Sequence, residues 1–146
     1  MSSVATVYAQ ALYGLKKEDG TAEQVLSQLA ALDESFQQEP GFVRLLSAAN
    51  LSKAERCLVL DQSFRGKIDQ DLLSFMKILT EKGYMRHFSG CCKAFRQLYN
   101  EDNGILDVQA VSAVALTQQQ KDRLCDKLAA ITGKRISLQN SSKSLA

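Results

Sequence analysis

A single proline, Pro40, stands in a chain of 146 residues whose apolar side chains recur at helical spacing and whose glycines fall between the apolar segments. Proline breaks a helix from within and glycine commonly ends one, so this distribution predicts helices separated by short loops. Six such segments precede residue 104, and their short connections predict a compact six-helix N-terminal bundle.

Each predicted helix carries an apolar stripe that repeats every 3.6 residues. The first helix runs from about Val4 to Leu15, and its Ala5 and Ala9 form a second flank that another helix can approach closely. Packing of the first helix in the core alone is the alternative reading of these residues. The predicted stripes are Val4, Tyr8, Ala11, Leu12 and Leu15 in the first helix, Val25, Leu29, Leu32 and Phe36 in the second, Leu72, Phe75, Met76 and Leu79 in the fifth, and Phe88, Cys91, Phe95 and Leu98 in the sixth.

Capping motifs mark several helix boundaries. Thr21 and Ser52 are each followed three positions later by Gln or Glu, which is the capping-box pattern of a helix start. Pro40 is expected to end the second helix, with a short third helix over residues 42–48. Gly83 is expected to end the fifth helix, and the sixth to begin at about residue 85.

After Asn103-Gly104 the period of the sequence changes. Apolar and polar residues alternate over 106–110 and again over 135–138, which predicts two strands. Between them Thr117 begins a predicted helix with the apolar stripe Leu124, Leu128 and Ile131. The chain is therefore predicted to have two domains, a bundle over 1–104 and a strand–helix–strand unit over 105–146. One such unit cannot cover its own sheet, so it is expected to be incomplete or to lean on a partner.

The charge of the chain is unevenly distributed. The net charge is +2, but residues 121–146 alone carry six basic and two acidic side chains. This asymmetry fits a C-terminal part that meets a more acidic partner, and a solvated helix face is the alternative. No apolar run reaches the ~20 residues that span a bilayer, and the N-terminus lacks the pattern of a secretory signal. A reducing cytoplasm is therefore expected, with four free thiols.

The stretch EKGYMRHFSGCC, Glu81–Cys92, is the one place where metal or thiol chemistry can be suspected. His87 and Cys91 are four residues apart and can face one another on a helix, whereas Cys92 points ~100° away. Cys91 also lies on the apolar stripe of the sixth helix, where a cysteine acts as a small hydrophobic residue. No nucleophile motif, paired carboxylates or phosphate loop occurs, so the sequence predicts no catalytic, cofactor or metal site.

YAQALY near the N-terminus and two longer segments, over Phe75–Gly104 and Val108–Leu138, carry a family resemblance. They resemble the delta subunit of bacterial rotary (F-type) ATP synthases and its mitochondrial counterpart, the oligomycin-sensitivity-conferring subunit. YAQALY at Tyr8–Tyr13 resembles the family opening YAxALY. FMKILTEKGYMRHFSGCCKAFRQLYNEDNG at Phe75–Gly104 resembles FLxLLxEKGRLxxLxxIxxxFxxLxxExxG. VQAVSAVALTQQQKDRLCDKLAAITGKRISL at Val108–Leu138 resembles xAxVxSAxxLTxEQxxxLxxxLxxxxGKxVxL. The resemblance follows the chain in order over essentially its full length.

The resemblance implies a non-catalytic subunit of the peripheral stalk, or stator, at the cytoplasmic face of the bacterial inner membrane and monomeric within the complex. It implies that the N-terminal bundle binds the N-terminal helix of an alpha subunit, and that the C-terminal domain binds the C-terminal region of the b subunit. It implies no nucleic acid, no membrane insertion and no cofactor. The positions that match the alpha-subunit site are Tyr8, Ala9, Ala11 and Leu12 on the first helix and Asp71, Phe75, Lys77, Ile78 and Leu79 on the fifth. A free-standing helical adaptor for some other amphipathic helix is the alternative function, and a metal or thiol sensor is a third.

Two features depart from the family pattern. The arginine that follows EKG in the family is displaced here to Arg86, behind Tyr84 and Met85. After the second strand, family members continue with a segment like DPSLIGG and with strands that end near DGSVRGRL, whereas this chain reaches Ala146 where that segment would begin. The expectation is therefore a small, truncated α/β C-terminal domain.

Overall fold

The computed structural model describes residues 3–142. Its contacts divide the chain into two compact units, one up to Tyr99 and one from Asn100. The described residues form a mainly helical protein with a small two-stranded parallel sheet near the C-terminus, which confirms the predicted fold class at that level. The elements are α1 Val4–Asp19, α2 Ala22–Gln38, α3 Pro40–Leu46, α4 Lys53–Phe64, α5 Gln70–Lys82, a 3-10 turn Met85–His87, α6 Phe88–Asn103, β1 Ile105–Ser112, α7 Gln118–Thr132 and β2 Arg135–Ser142.

The start of α4 and the end of α5 form as predicted. The Ser52 hydroxyl accepts a hydrogen bond from the Glu55 amide at 3.1 Å, and the Glu55 carboxylate accepts one from the Ser52 amide at 3.2 Å. The two bonds satisfy amide groups that have no partner within the helix. Gly83 ends α5 with a φ of 73°, a left-handed conformation that favours glycine.

One predicted capping interaction and two predicted helix boundaries were wrong. Thr21 precedes α2 without a capping hydrogen bond, because its ψ of 16° is not the extended geometry that capping requires, and its hydroxyl is buried without a partner. Pro40 begins α3 rather than only ending α2, since the first position of a helix needs no amide donor. His87 lies in the 3-10 turn before α6, where its amide donates to the Tyr84 carbonyl, so His87 and Cys91 do not share one α-helix.

The core of the first unit draws on all six helices α1–α6. The predicted stripes of α2 and α5 are buried throughout, and in α6 only Leu98 is half-buried. Of the stripe predicted for α1 only Leu12 is buried; Val4 and Tyr8 are half-buried, and Ala11 and Leu15 are exposed. The other buried residues of α1 are Ala9, Tyr13 and Lys16. The buried hydrophobic residues are Ala9, Leu12, Tyr13, Val25, Leu29, Leu32, Phe36, Leu46, Leu60, Leu72, Leu73, Phe75, Met76, Leu79, Met85, Phe88, Cys91, Cys92 and Phe95.

The small-residue flank of α1 is occupied within the chain itself. A Cβ atom added to Gly90 of α6 would lie 3.0 Å from the Ala5 Cβ atom, so α1 and α6 approach closely at this point. Further along the same pair of helices, the rings of Tyr13 and Phe95 pack edge to face with centroids 5.2 Å apart. Ala5 therefore serves the contact with α6, not an external helix.

The second unit is a parallel strand–helix–strand unit. β1 and β2 pair in register, with Leu106 opposite Ile136 and Val108 opposite Leu138. These four residues share one half-buried face, and α7 packs against β2, which identifies α7 as the cover of that face. Ile131 was predicted to belong to the apolar stripe of α7, but it lies exposed at the end of the helix.

Candidate helix-docking groove

Helices α1 and α5 are antiparallel neighbours in the first unit. Near the start of α1, the Tyr8 ring meets the edge of the Tyr84 ring, just beyond the end of α5, with centroids 5.9 Å apart. Near the end of α1, the Lys16 ammonium contacts Asp69 and Asp71 at the start of α5. The start of each helix therefore lies beside the end of the other, and the surface between them is called the α1–α5 groove below.

The two flanks of α5 have different neighbours. Asp71 contacts Lys16 of α1, and Ile78 lies seven residues on, so both side chains lie on the flank that faces α1. Lys77 lies on the opposite flank, where its ammonium is 2.6 Å from the Asp61 carboxylate of α4. The structure thus brings eight of the nine predicted partner-binding residues to the groove or beneath it, and it places Lys77 elsewhere.

These eight residues differ in their accessibility. Four form part of the core beneath the groove, and Tyr8 and Asp71 are half-buried at its sides. Ile78 is 45% exposed, and Ala11 also faces outward. The four core residues are Ala9, Leu12, Phe75 and Leu79. Their assignment to a partner-binding site remains a prediction.

Two exposed apolar residues of α1 extend this surface and were missing from the predicted site. Val7 and Leu15 lie four residues before and after Ala11, so the three side chains share one outward face of the helix. The spacing was visible in the sequence, where Leu15 was assigned to the core stripe instead. The outward face of α1 is therefore apolar as well as its buried face.

A buried ammonium joins α1 to the start of α5 at one end of the groove, and the residue that caps α5 also contacts α2. Lys16 is 3% exposed, and its Nζ atom lies 3.1 Å from both carboxylate oxygens of Asp69, 2.7 Å from Asp71 and 3.3 Å from Asp19. Asp69 caps α5 by accepting from the amides of Asp71 and Leu72, and its own amide donates to the Gln28 side chain of α2 at 2.8 Å. Burial alone lowers the pKa of Lys16, but the hydrogen bonds to the three carboxylates outweigh it and raise that pKa above its ordinary value.

The thiols and the histidine do not assemble into a reactive centre. Burial raises the pKa of the Cys91 thiol to about 11 and also raises that of Cys92, which keeps both protonated and weakly nucleophilic at neutral pH. Burial, with Glu81 nearby, raises the pKa of Cys57. Among residues 3–142, no three His, Cys, Asp or Glu side chains come together as metal ligands.

A small cavity of about 120 Å³ lies between α2, α3 and the start of α6, beside Phe36, Val43 and Phe88. Binding sites for small molecules and cofactors occupy about 300–1,000 Å³, so this cavity is too small for one. Across the described part of the chain, no helix combines the length and the apolar character needed to cross a bilayer.

Comparison with known proteins agrees with this mainly helical class. Residues 4–144 match the family model described as ATP synthase delta (OSCP) subunit. The chain is 26% identical over 129 residues to ATP synthase subunit delta of Chlorobium chlorochromatii, covering 88% of this chain and 72% of that protein. It is 28% identical over 141 residues to the subunit of the same name from Leuconostoc mesenteroides, covering 96% and 78%. A chain of the cryo-EM structure of the Toxoplasma gondii mitochondrial ATP synthase hexamer shares the fold, with a TM-score of 0.78, 15% identity and coverage of 99% and 79%.

The chain belongs to the ATP synthase delta (OSCP) subunit family. Members of this family are structural subunits of the peripheral stalk of ATP synthase and carry out no catalysis themselves. Family membership confirms the resemblance read from the sequence, and with it the predicted role as a stator subunit.

Proposed function

We propose that the α1–α5 groove binds the N-terminal helix of an alpha subunit and so ties this stator subunit to the catalytic head. The observation that carries the proposal is the apolar surface formed by Val7, Ala11 and Leu15 of α1 and by Ile78 of α5. Removing apolar side chains from water lowers the free energy, and an amphipathic helix in the groove would bury its own apolar face against these residues.

Within the predicted site, the residues have different roles in this proposal. Tyr8, Ala11 and Ile78 contact the bound helix directly, and the four buried residues support them from below. Tyr8 offers the largest rigid contact area, because a tyrosine combines an apolar ring with a polar end. Lys77, on the flank that faces α4, contributes only if the bound helix reaches across α5.

We also propose that the six helices of residues 1–104 form the domain that binds the head, and that residues 105–146 bind the C-terminal region of the b subunit. Three features of the second unit support this assignment. In the described residues its two strands each have one edge without a neighbouring strand. Val111 and Val114 are exposed. The segment from residue 121 also carries an excess of basic charge.

In the assembled enzyme the proposed location is the cytoplasmic face of the bacterial inner membrane, with one copy of the subunit per complex. A stator must resist the torque that rotary catalysis exerts on the head. Tight binding through a buried apolar helix face suits that task, because dissociation then requires exposure of the whole apolar surface at once.

The proposal is tested by calorimetric titration of the full chain with a synthetic peptide of the alpha subunit's N-terminal segment. Ile78→Asp is expected to weaken binding about tenfold or more, because it buries a charge without a partner, and Tyr8→Asp is expected to do the same. Leu58→Asp is the matched control: Leu58 is 53% exposed on α4, against 45% for Ile78, and lies outside the groove. Absence of peptide binding by the unaltered chain, or equal affinities of Ile78→Asp and Leu58→Asp, contradicts the proposal.

A further inference from the structure

The contacts between α1 and α5 differ at the two ends of the groove. At the end near Tyr8 the contacts include an aromatic pair, in which the Tyr8 ring packs against the ring of Tyr84 just beyond the end of α5. At the other end the Lys16 ammonium bonds to Asp69 and Asp71 of α5, and Asp69 is in turn fixed by Gln28 of α2. Charge-assisted hydrogen bonds are short and directional, so they hold two helices at a defined separation more strictly than apolar contacts do.

We propose that Lys16 is the positioning residue of the α1–α5 groove: by fixing the start of α5 against the end of α1, it holds the groove at the width that the docked helix requires. This inference rests on the proposed function of the groove. Lys16 is 3% exposed and does not itself reach the partner. It acts through Asp71, whose side chain is 41% exposed and lies on the groove flank with Ile78.

Loss of the ammonium would change the groove in a definite direction. Asp19, Asp69 and Asp71 all contact Lys16, so without it three carboxylates face one another with no cation between them. Like charges this close repel, and the repulsion moves the end of α1 away from the start of α5. A groove that is already at the required width binds the helix more tightly than one that must first be closed, since closing it uses part of the binding energy.

An ion pair on the other flank of α5 provides a way to separate this role from general stability. Asp61 forms the other ion pair of α5, with Lys77, but on the flank that faces α4. Asp61→Asn therefore breaks an interhelical ion pair of α5 without touching the groove. Lys16→Arg keeps a cation in reach of the same carboxylates and serves as the conservative variant.

The experiment is calorimetric titration of the full chain and its variants with the same alpha-subunit peptide, alongside urea unfolding to establish that each variant is folded. Lys16→Met is expected to bind the peptide about tenfold more weakly, and Lys16→Arg within about threefold of the unaltered chain. Asp61→Asn is expected to bind as the unaltered chain does. The double variant Lys16→Met with Asp69→Asn reduces the surplus negative charge and keeps a side chain that caps helices well. Because it still lacks the ammonium that joins α1 to α5, it is expected to bind more weakly than the unaltered chain but less weakly than Lys16→Met.

The outcomes distinguish this inference from the proposed function. If the unaltered chain does not bind the peptide, the groove itself is not the alpha-subunit site. If the unaltered chain binds and the folded Lys16 variants bind equally well, the positioning role is wrong while the groove stands. If Lys16→Met is unfolded, the double variant is tested in its place. Binding of the peptide by the double variant with the affinity of the unaltered chain would overturn the inference. An equal loss in Asp61→Asn also overturns it, because the effect is then general to the ion pairs of α5.

Discussion

The two units of this chain are stabilised in different ways. In the first, a core cluster of apolar side chains from six helices is almost completely removed from water. In the described part of the second, no side chain is fully buried, and the apolar face of the sheet is only half-covered. The first unit is therefore held together by its own core, whereas the second depends more on its strand pairing and polar contacts.

Asn140 illustrates the polar contacts of the second unit. Its side-chain amide donates to the Ala110 carbonyl at 2.9 Å and to the Ser112 hydroxyl at 3.2 Å, and its carbonyl oxygen accepts from the Leu116 amide at 2.8 Å. One residue of β2 thereby fixes both the end of β1 and the loop that leads to α7. The first unit also contains a polar cluster, around Lys16, but there it stands beside a closely packed apolar core that already restricts how the helices fit.

Replacing one leucine by alanine in each unit should change the free energy of unfolding by very different amounts. Leu60→Ala empties a fully buried position of α4 and is expected to lower the free energy of unfolding by about 2–5 kcal/mol. Leu128→Ala removes a half-buried side chain of α7, and because less apolar area leaves the interior, a loss of about 1 kcal/mol is expected. Hydrogen exchange measured separately for α4 and α7 checks both values. Equal losses at the two positions would show that the second unit has a core as closed as the first.

Helix positions in the first unit could be predicted well because most of its helices have one buried face. In α2, the predicted apolar stripe and the buried residues are the same set, namely Val25, Leu29, Leu32 and Phe36. For α1 the same reasoning identified only Leu12 among the buried residues, since that helix has two apolar faces. Periodicity detects apolar spacing but cannot tell which of two apolar faces lies inward.

For the candidate site, the residues on α1 and α5 could be named from a family resemblance, but their local roles could not. Lys77 and Ile78 are adjacent in sequence, and consecutive residues of a helix point ~100° apart, so only the neighbours of α5 decide which one faces α1. The buried position of Lys16 was also unpredictable. It depends on two carboxylates more than fifty residues away along the chain, which no local pattern brings beside it.

A smaller effect is expected from removal of the polar contacts in the second unit. Asn140→Ala leaves the Leu116 amide without its partner and releases the Ala110 carbonyl, so a loss of about 1–3 kcal/mol in unfolding free energy is expected for this unit. Hydrogen exchange at the Leu116 amide is the sharpest measurement, because that proton should exchange much faster in the variant. Exchange of the α2 amides should stay unchanged and serves as the internal control. Unaltered protection of Leu116 would contradict the role given to Asn140.

The smallest effects are expected from two glycine substitutions in the first unit. One should lower the free energy of unfolding and the other should raise it. Gly90→Ala puts a methyl group 3.0 Å from the Ala5 Cβ atom, so α1 and α6 must move apart. After the gain in helix propensity is subtracted, this substitution is expected to lower the free energy of unfolding by about 1 kcal/mol. Gly14→Ala adds the same methyl group to α1 where nothing lies within 4 Å, and is expected to stabilise the unit by up to about 1 kcal/mol. Urea unfolding of both variants measures the difference.

A second substitution tests whether contact between α1 and α6 is the cause of that difference. Ala5→Gly removes the opposing methyl group, so combining it with Gly90→Ala should cost less than the sum of the two single substitutions. Combined with Gly14→Ala, which does not touch Ala5, it should show simple additivity. If the two double variants behave alike, the close approach of α1 and α6 does not limit side-chain size at residue 90. The tight packing that distinguishes the first unit would then end before it reaches this pair of helices.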